Sequence, residues 1–240
     1  MAIRFLLFVA LSSLAVGAQA AKKDTLTEVI QWRLSLDADG KIESLKPVNP
    51  EYLPDVRKQL EPIVRAWHFT PGKLDGRPAP TETTLGVKIA FEAESTNAIR
   101  YHAHIRSAGT GATYEHMVTP HYPESSLKLR QQGGVMLRIS YDAKGAITSV
   151  RDMPEMSTGH VSSDMTQAAI DAVKHWTFRT ESVAGHGIAG EALVPVCFEI
   201  GDAHCQWKPW PGRRALETGS MVALSSVVGL DTGDEARQLP

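Results

Sequence analysis

The chain has 240 residues, 42% of them hydrophobic, with a formal net charge of −2 and two cysteines. That length holds one or two domains of ordinary globular composition. A charge this close to neutral provides no global field favouring nucleic acid or an acidic membrane surface.

Arg4 supplies a positive n-region, Phe5 to Gly17 an apolar h-region, and Ala18-Gln19-Ala20 a small-residue cleavage site. Residues 1–20 therefore read as a secretory signal peptide, and the mature chain is expected to start at Ala21. The apolar run falls short of the roughly 20 residues that a membrane-spanning helix needs; an uncleaved anchor is the alternative reading. No later stretch is long or apolar enough to cross a bilayer, so the expectation is a soluble periplasmic protein.

Ile30, Trp32, Leu34 and Leu36 alternate with Gln31, Arg33 and Ser35, the period of a strand with one buried face. Asp39-Gly40 is a hairpin signal, and Lys41 to Leu45 returns as the partner strand. Pro54 suits the first position of a helix, and Val56, Leu60, Ile63, Val64 and Trp67 fall on one helical face. Pro62 within that pattern predicts a kink or restart. A Pro/Gly loop over Thr70 to Pro80 precedes a strand carrying Leu85, Val87, Ile89 and Phe91. Ile99, Tyr101, Ala103 and Ile105 then alternate with Arg100, His102, His104 and Arg106, predicting a fourth strand paired with Val87–Glu94 through a Ser95–Ala98 turn. Gly109–Gly111 reads as a linker.

The same order then recurs. Val135, Leu137, Ile139 and Tyr141 alternate with Met136, Arg138 and Ser140; Asp142-Ala143-Lys144-Gly145 turns into Ile147–Arg151. Ser162 or Ser163 can cap a helix carrying Met165, Ala168, Ala169, Ala172, Val173 and Trp176 at three- and four-residue steps. Val194, Val196, Phe198 and Ile200 close the copy. Both helices end in Trp-x-Phe, at Trp67-His68-Phe69 and Trp176-Thr177-Phe178, and both tryptophans read as core. Repetition at this scale predicts an α+β fold of two tandem domains, each a helix packed on a small antiparallel sheet: a shortened first domain over 21–108, a linker over 109–119, a second domain over 120–206 and a tail over 207–240. Met221–Leu230 in that tail is apolar enough to dock on a surface or add a strand.

Cys197 and Cys205 favour a disulfide in an oxidising compartment, with Gly201-Asp202 turning the chain between them; a metal-binding or catalytic thiol pair is the rival reading. The loop is short, so the bridge contributes on the order of 2–3 kcal/mol. His102 and His104 share a strand face, with His116 and His121 beyond, and two imidazoles at that spacing can hold zinc or copper. No third ligand lies in an obvious place, and solvated histidines are the simpler reading, so neither a metal nor a cofactor is expected. There is no Gly-x-Ser-x-Gly elbow, no His-Glu-x-x-His and no phosphate loop, so the chain does not read as an enzyme.

Pro120-His121-Tyr122-Pro123, Gly133-Gly134, Asp142-Ala143-Lys144-Gly145, Ala168–Trp176 with Phe178, and Pro195-Val196-Cys197-Phe198 resemble, in order and spacing, the TonB C-terminal domain family. The first copy looks like a shortened relative without the Tyr-Pro entry. The resemblance implies helices on one face of a small antiparallel sheet. It also implies a role in transmitting energy from an inner-membrane motor to outer-membrane transporters, in which the C-terminal domain grips an extended transporter segment by strand addition. By the same resemblance His121 and Tyr122 are candidates to touch that segment. Pro195 cannot donate to a ladder and so places Val194–Ile200 at a sheet edge, either recruiting a partner or blunting the edge against aggregation. The candidate partner-binding set is His121, Tyr122, Val194, Pro195, Val196, Cys197, Phe198 and Glu199. The expected partner is an extended segment of an envelope or outer-membrane protein such as a transporter. Alternatives are self-association through the same edges, making a homo-oligomer, and an anchored energy transducer if Phe5–Gly17 is retained.

Overall fold

A computed structural model describes residues 25–93, 101–201, 205, 207 and 222–233. The signal-peptide reading and the Ser95–Ala98 turn lie outside these residues, as does Asp202 of the turn between the cysteines. The elements are β1 (Thr25–Leu36), β2 (Ile42–Pro47), α1 (Pro54–Arg65), β3 (His68–Thr70), the ribbon β4 (Lys73–Leu74) and β5 (Arg77–Pro78), β6 (Thr81–Ala93), β7 (Tyr101–Gly111), β8 (Thr113–His116) and α2 (Glu124–Lys128). There follow β9 (Gly133–Tyr141), β10 (Ile147–Asp152), a 3-10 turn (Pro154–Met156), β11 (Thr158–Gly159), α3 (Ser163–Val173), β12 (Thr177–Arg179), the hairpin β13 (Ser182–Val183) and β14 (His186–Gly187), β15 (Gly190–Phe198), β16 (Val222–Ala223) and β17 (Gly229–Asp231).

The first sheet is built on β1 and β6, antiparallel from Thr25↔Glu92 to Leu36↔Thr81, with β2 outside β1 and β7 outside β6. Alternation along β1 puts Ile30, Trp32, Leu34 and Leu36 into a core with Leu60 and Val64 of α1 and Leu85, Val87 and Ile89 of β6. In the second sheet β9 lies between β10 and β15, and Val135, Leu137, Ile139, Val194, Val196 and Phe198 bury against Met165, Ala169 and Val173 of α3. Of the two candidate caps, Ser162 is the one used: its hydroxyl accepts from Met165 N at 3.2 Å. The two hairpin turns are closed alike. Asp37 Oδ1 accepts from the amides of Asp39 and Lys41, and Asp142 Oδ1 from those of Lys144 and Ala146, all at 2.9 Å.

Three expectations are corrected. Helix α1 does not restart at Pro62 but continues through it; Pro62 and Lys58, four residues earlier, are both exposed, so the carbonyl that loses its donor can turn to water. The Gly109–Gly111 segment is no free linker but the end of β7, paired with β6 as far as Thr84↔Gly111. Gly111, at φ 147°, bends the chain directly into β8. Finally, the predicted fourth strand forms as β7, but the first sheet is not confined to the first copy. The β13–β14 hairpin extends β6 through Ser182↔Glu82 and Val183↔Thr81, carrying a segment beyond α3 onto the first sheet.

The C-terminal segment joins the two halves. β16 pairs with β15, β17 pairs with β3, and Val228 enters the first core. β17 lies on β3 as β8 lies on β12: Leu230 is opposite Phe69, and Tyr114 is opposite Phe178.

Candidate functional site: the outer edge of β15

β15 runs antiparallel to β9 with Val194 opposite Leu137, Pro195 opposite Met136 and Val196 opposite Val135. The direction of its backbone groups follows from two bonds. Glu191 O accepts from Leu224 N at 2.9 Å on the outer side, and Met136 O accepts from Met153 N at 2.9 Å on the side away from β15. Because N–H and C=O alternate sides along a strand, Glu191, Leu193, Pro195 and Cys197 point outward, while Ala192, Val194, Val196 and Phe198 bond to β9. Pro195 is thus opposite a residue that offers it no ladder bond, and the donor it lacks is missing from the outer side.

The site residues read from the sequence separate accordingly. Val194, Val196 and Phe198 are buried core side chains, able to meet a partner only through the strand that carries them. Pro195 is half-buried, and Cys197 and Glu199 are exposed on the opposite side. Cys197 is bonded to Cys205, with Cα atoms 6.1 Å apart, and Glu199 Oε1 accepts from Cys205 N at 2.9 Å. These three residues are the only group of potential ligands close enough for a metal ion among the described residues, and its two sulfurs are bonded to each other. His104 lies 3.5 Å from Glu92. Tyr122 packs edge-on to Phe198, ring centroids 5.3 Å apart, and its hydroxyl donates to Gln131 O. Burial pushes its pKa up. The segment it belongs to is fixed by Trp176 Nε1, which donates to Val118 O at 2.7 Å. His121 is exposed beside it.

Sequence reasoning missed what covers the other face of this sheet. Met136 and Leu193 are buried beneath Met153, Met156, Trp207 and Leu224. The Trp207 ring fills the place of a side chain on Gly134, where a β-carbon would lie 2.4 Å from it. At the near end of β15, Arg138 Nη2 donates to Glu191 Oε2 at 2.6 Å, holding the Glu191 carboxyl below its ordinary range and raising the guanidinium. The signal that was available was the apolar run Met221–Leu230; nothing in it named the strands it would meet.

Residues 118–200 match the family model of the Gram-negative bacterial TonB protein C-terminal domain. The matched segment carries α2, β9, β10, α3 and β15, and that family consists of transducers rather than enzymes. Two curated relatives, each named Protein TonB and coming from two strains of Xanthomonas campestris pv. campestris, are 31% identical over 93 residues, 39% of this chain. The match spans 40% of the length of those relatives. A solution structure of the Pseudomonas aeruginosa TonB C-terminal domain is 21% identical, covers 39% of this chain and 90% of that one, and aligns with a TM-score of 0.30. No helix among the described residues is long and apolar enough to cross a membrane.

Proposed function

We propose that residues 118–200 grip an extended segment of an envelope protein, of the outer-membrane transporter kind, by adding it as a strand to the outer edge of β15 in an exported, soluble protein. The observation that carries this reading is the outward row of backbone groups on Leu193, Pro195 and Cys197, in a segment matching the TonB C-terminal family. Main-chain bonds to such a row supply affinity, and side-chain pockets beside it supply selectivity. The first half, with its matching order of elements and its matching Asp-closed turn, is read as a shortened second copy of the same unit.

The test must block the edge without breaking the sheet. Val196→Pro is unsuitable, because the Val196 backbone points to β9. Cys197 points outward, so the pair Cys197→Pro/Cys205→Ser and Cys197→Ala/Cys205→Ser differs in one outer donor while both lack the disulfide. Cross-linked capture from an envelope extract should recover a transporter with the alanine form and at least tenfold less with the proline form. Equal recovery by two folded variants would sink the proposal.

A further inference from the structure

We propose that the C-terminal segment carrying β16 is a built-in competitor for the β15 edge, which a partner must displace to bind fully. The inference rests on the reading of that edge as the partner site, and adds how the site is regulated. Val222 and Ala223 already lie antiparallel on β15, opposite Leu193 and Ala192, and Leu224 N donates to Glu191 O at 2.9 Å. The edge is therefore shown accepting a strand, supplied by its own chain.

The geometry leaves little for a second strand while this one is in place. Of the outward-pointing residues, Glu191 and Leu193 face the tail, and Pro195 offers only a carbonyl. Among the described residues, Cys197 alone has neither its outward donor nor its outward acceptor opposite a strand. An incoming segment gains a full ladder only by taking the place of β16.

The tail is held unequally along its length. β16 has two paired residues, with Leu224 half-buried on Met136 and Leu193. A few residues on, the chain is anchored far more firmly. Val228 is 5% exposed in the first core, Val227 N and Ser226 Oγ donate to the buried Glu181 at 2.9 and 2.7 Å, and Thr110 Oγ1 donates to Val228 O at 3.1 Å. The short strand can thus open while its anchor stays closed, and a tether of this length keeps the competitor at an effective concentration on the order of millimolar. The same contacts define what fits. A β-carbon on Gly111 would lie 2.6 Å from Ala223 Cβ, so a strand in this place needs a small residue opposite Ala192.

The probe is a labelled peptide with the sequence of residues 220–226, Ser-Met-Val-Ala-Leu-Ser-Ser, added to the full mature chain and to two variants, Leu224→Asp and Ala223→Pro. Both variants should bind it at least tenfold more tightly than the parent, with slowed amide exchange over 191–197, and replacing the peptide's alanine by phenylalanine should abolish binding. In the parent without peptide, amides of 222–224 should exchange faster than those of 229–231. Equal binding by parent and variants, binding by none of the three, or equal exchange in the two tail segments overturns the proposal. Transporter capture is read separately, with the Cys197 pair. Peptide binding without capture leaves the gate standing and removes the partner; capture that is equal in parent and tail variants does the reverse.

Discussion

Gly145 lies against the carbonyl of Phe178 so closely that a β-carbon on it would come within 1.7 Å of the oxygen, and Gly40 stands to Phe69 in the same way at 2.1 Å. Each hairpin turn is thereby seated on the Trp-x-Phe strand that follows its own helix, and in the second half the contact is closed by Phe178 N donating to Gly145 O at 2.9 Å. Both glycines also hold left-handed backbone, φ 84° and 83°. Gly145→Ala should combine left-handed strain with displacement of Phe178 from the second core, costing roughly 3 kcal/mol. Gly40→Ala should cost a similar amount in the first. Urea unfolding of the two variants measures both; a loss under about 0.5 kcal/mol, the range of ordinary surface changes, would show that the turn and the helix-following strand are not coupled.

The two tryptophans that follow the helices are buried alike but bonded differently. Trp176 Nε1 donates to Val118 O, whereas Trp67 Nε1 is buried with no acceptor among the described residues. Trp→Phe removes a hydrogen bond at one position and an unsatisfied donor at the other. Trp176→Phe should therefore cost about 1 kcal/mol more than Trp67→Phe in matched denaturant titrations. The reverse order would mean that the Val118 contact contributes nothing.

The elements that depend on local pattern were readable before the structure. The alternation of β1 and β9, the Asp-x-x-Gly turns and the three- and four-residue steps of α3 each state their own period, and each forms as stated except that α3 ends at Val173, before Trp176. What could not be read were pairings between distant segments. Ser182 and Val183 look like the end of a loop, yet they extend β6; Val222 and Ala223 are too few to carry a period, yet they lie on β15. Gly109 to Gly111 misled because glycine marks a linker and a strand interior equally well; Gly109 stands opposite Gly86 within the ladder, with open space where a β-carbon would lie, and only Gly111 meets a close neighbour, Ala223. At the candidate site Pro195 pointed to an edge, but the direction of its missing donor, and the tail beside it, are long-range facts.

Glu181 is the point where three distant segments meet. Its carboxylate, 4% exposed, accepts from Thr83 Oγ1 on β6 at 2.7 Å, from Ser226 Oγ at 2.7 Å and from Val227 N at 2.9 Å. Thr83 Oγ1 in turn accepts from Gly111 N at 3.1 Å. Glu181→Ala should leave the buried Thr83 hydroxyl and the half-buried Val227 amide without this acceptor, at a cost of about 2 kcal/mol, and should speed limited proteolysis after residue 207. A double-mutant cycle of Glu181→Gln with Thr83→Val should show coupling of about 1 kcal/mol. Additive effects would remove Glu181 as the clasp between tail and first sheet.

The pH dependence of stability should carry opposite contributions from two carboxyls. Glu191 is held low, first by the hydrogen bond from Arg138 and then by its charge. A carboxyl depressed in the folded state stabilises above its unfolded value of about 4.3, and that stabilisation is lost as pH falls through the folded value. Glu191→Gln should therefore match the parent in strongly acidic solution and fall below it from about pH 5 upward, by a small margin that 0.5 M salt (on the order of a 4–5 Å screening length) narrows, since the pair is partly exposed. Asp152 runs the other way. Burial raises its pKa, and its Oδ1 is buried with no partner among the described residues. Its ionised form is disfavoured in the fold, and that penalty is relieved as pH drops through the raised value. Asp152→Ser should accordingly gain on the parent toward neutral pH and lose that advantage in acid. Urea midpoints from pH 3 to 7 read both effects: curves for the Glu191 and Asp152 variants that diverge from the parent in the same direction above pH 5 would show that at least one carboxyl is perturbed for a different reason.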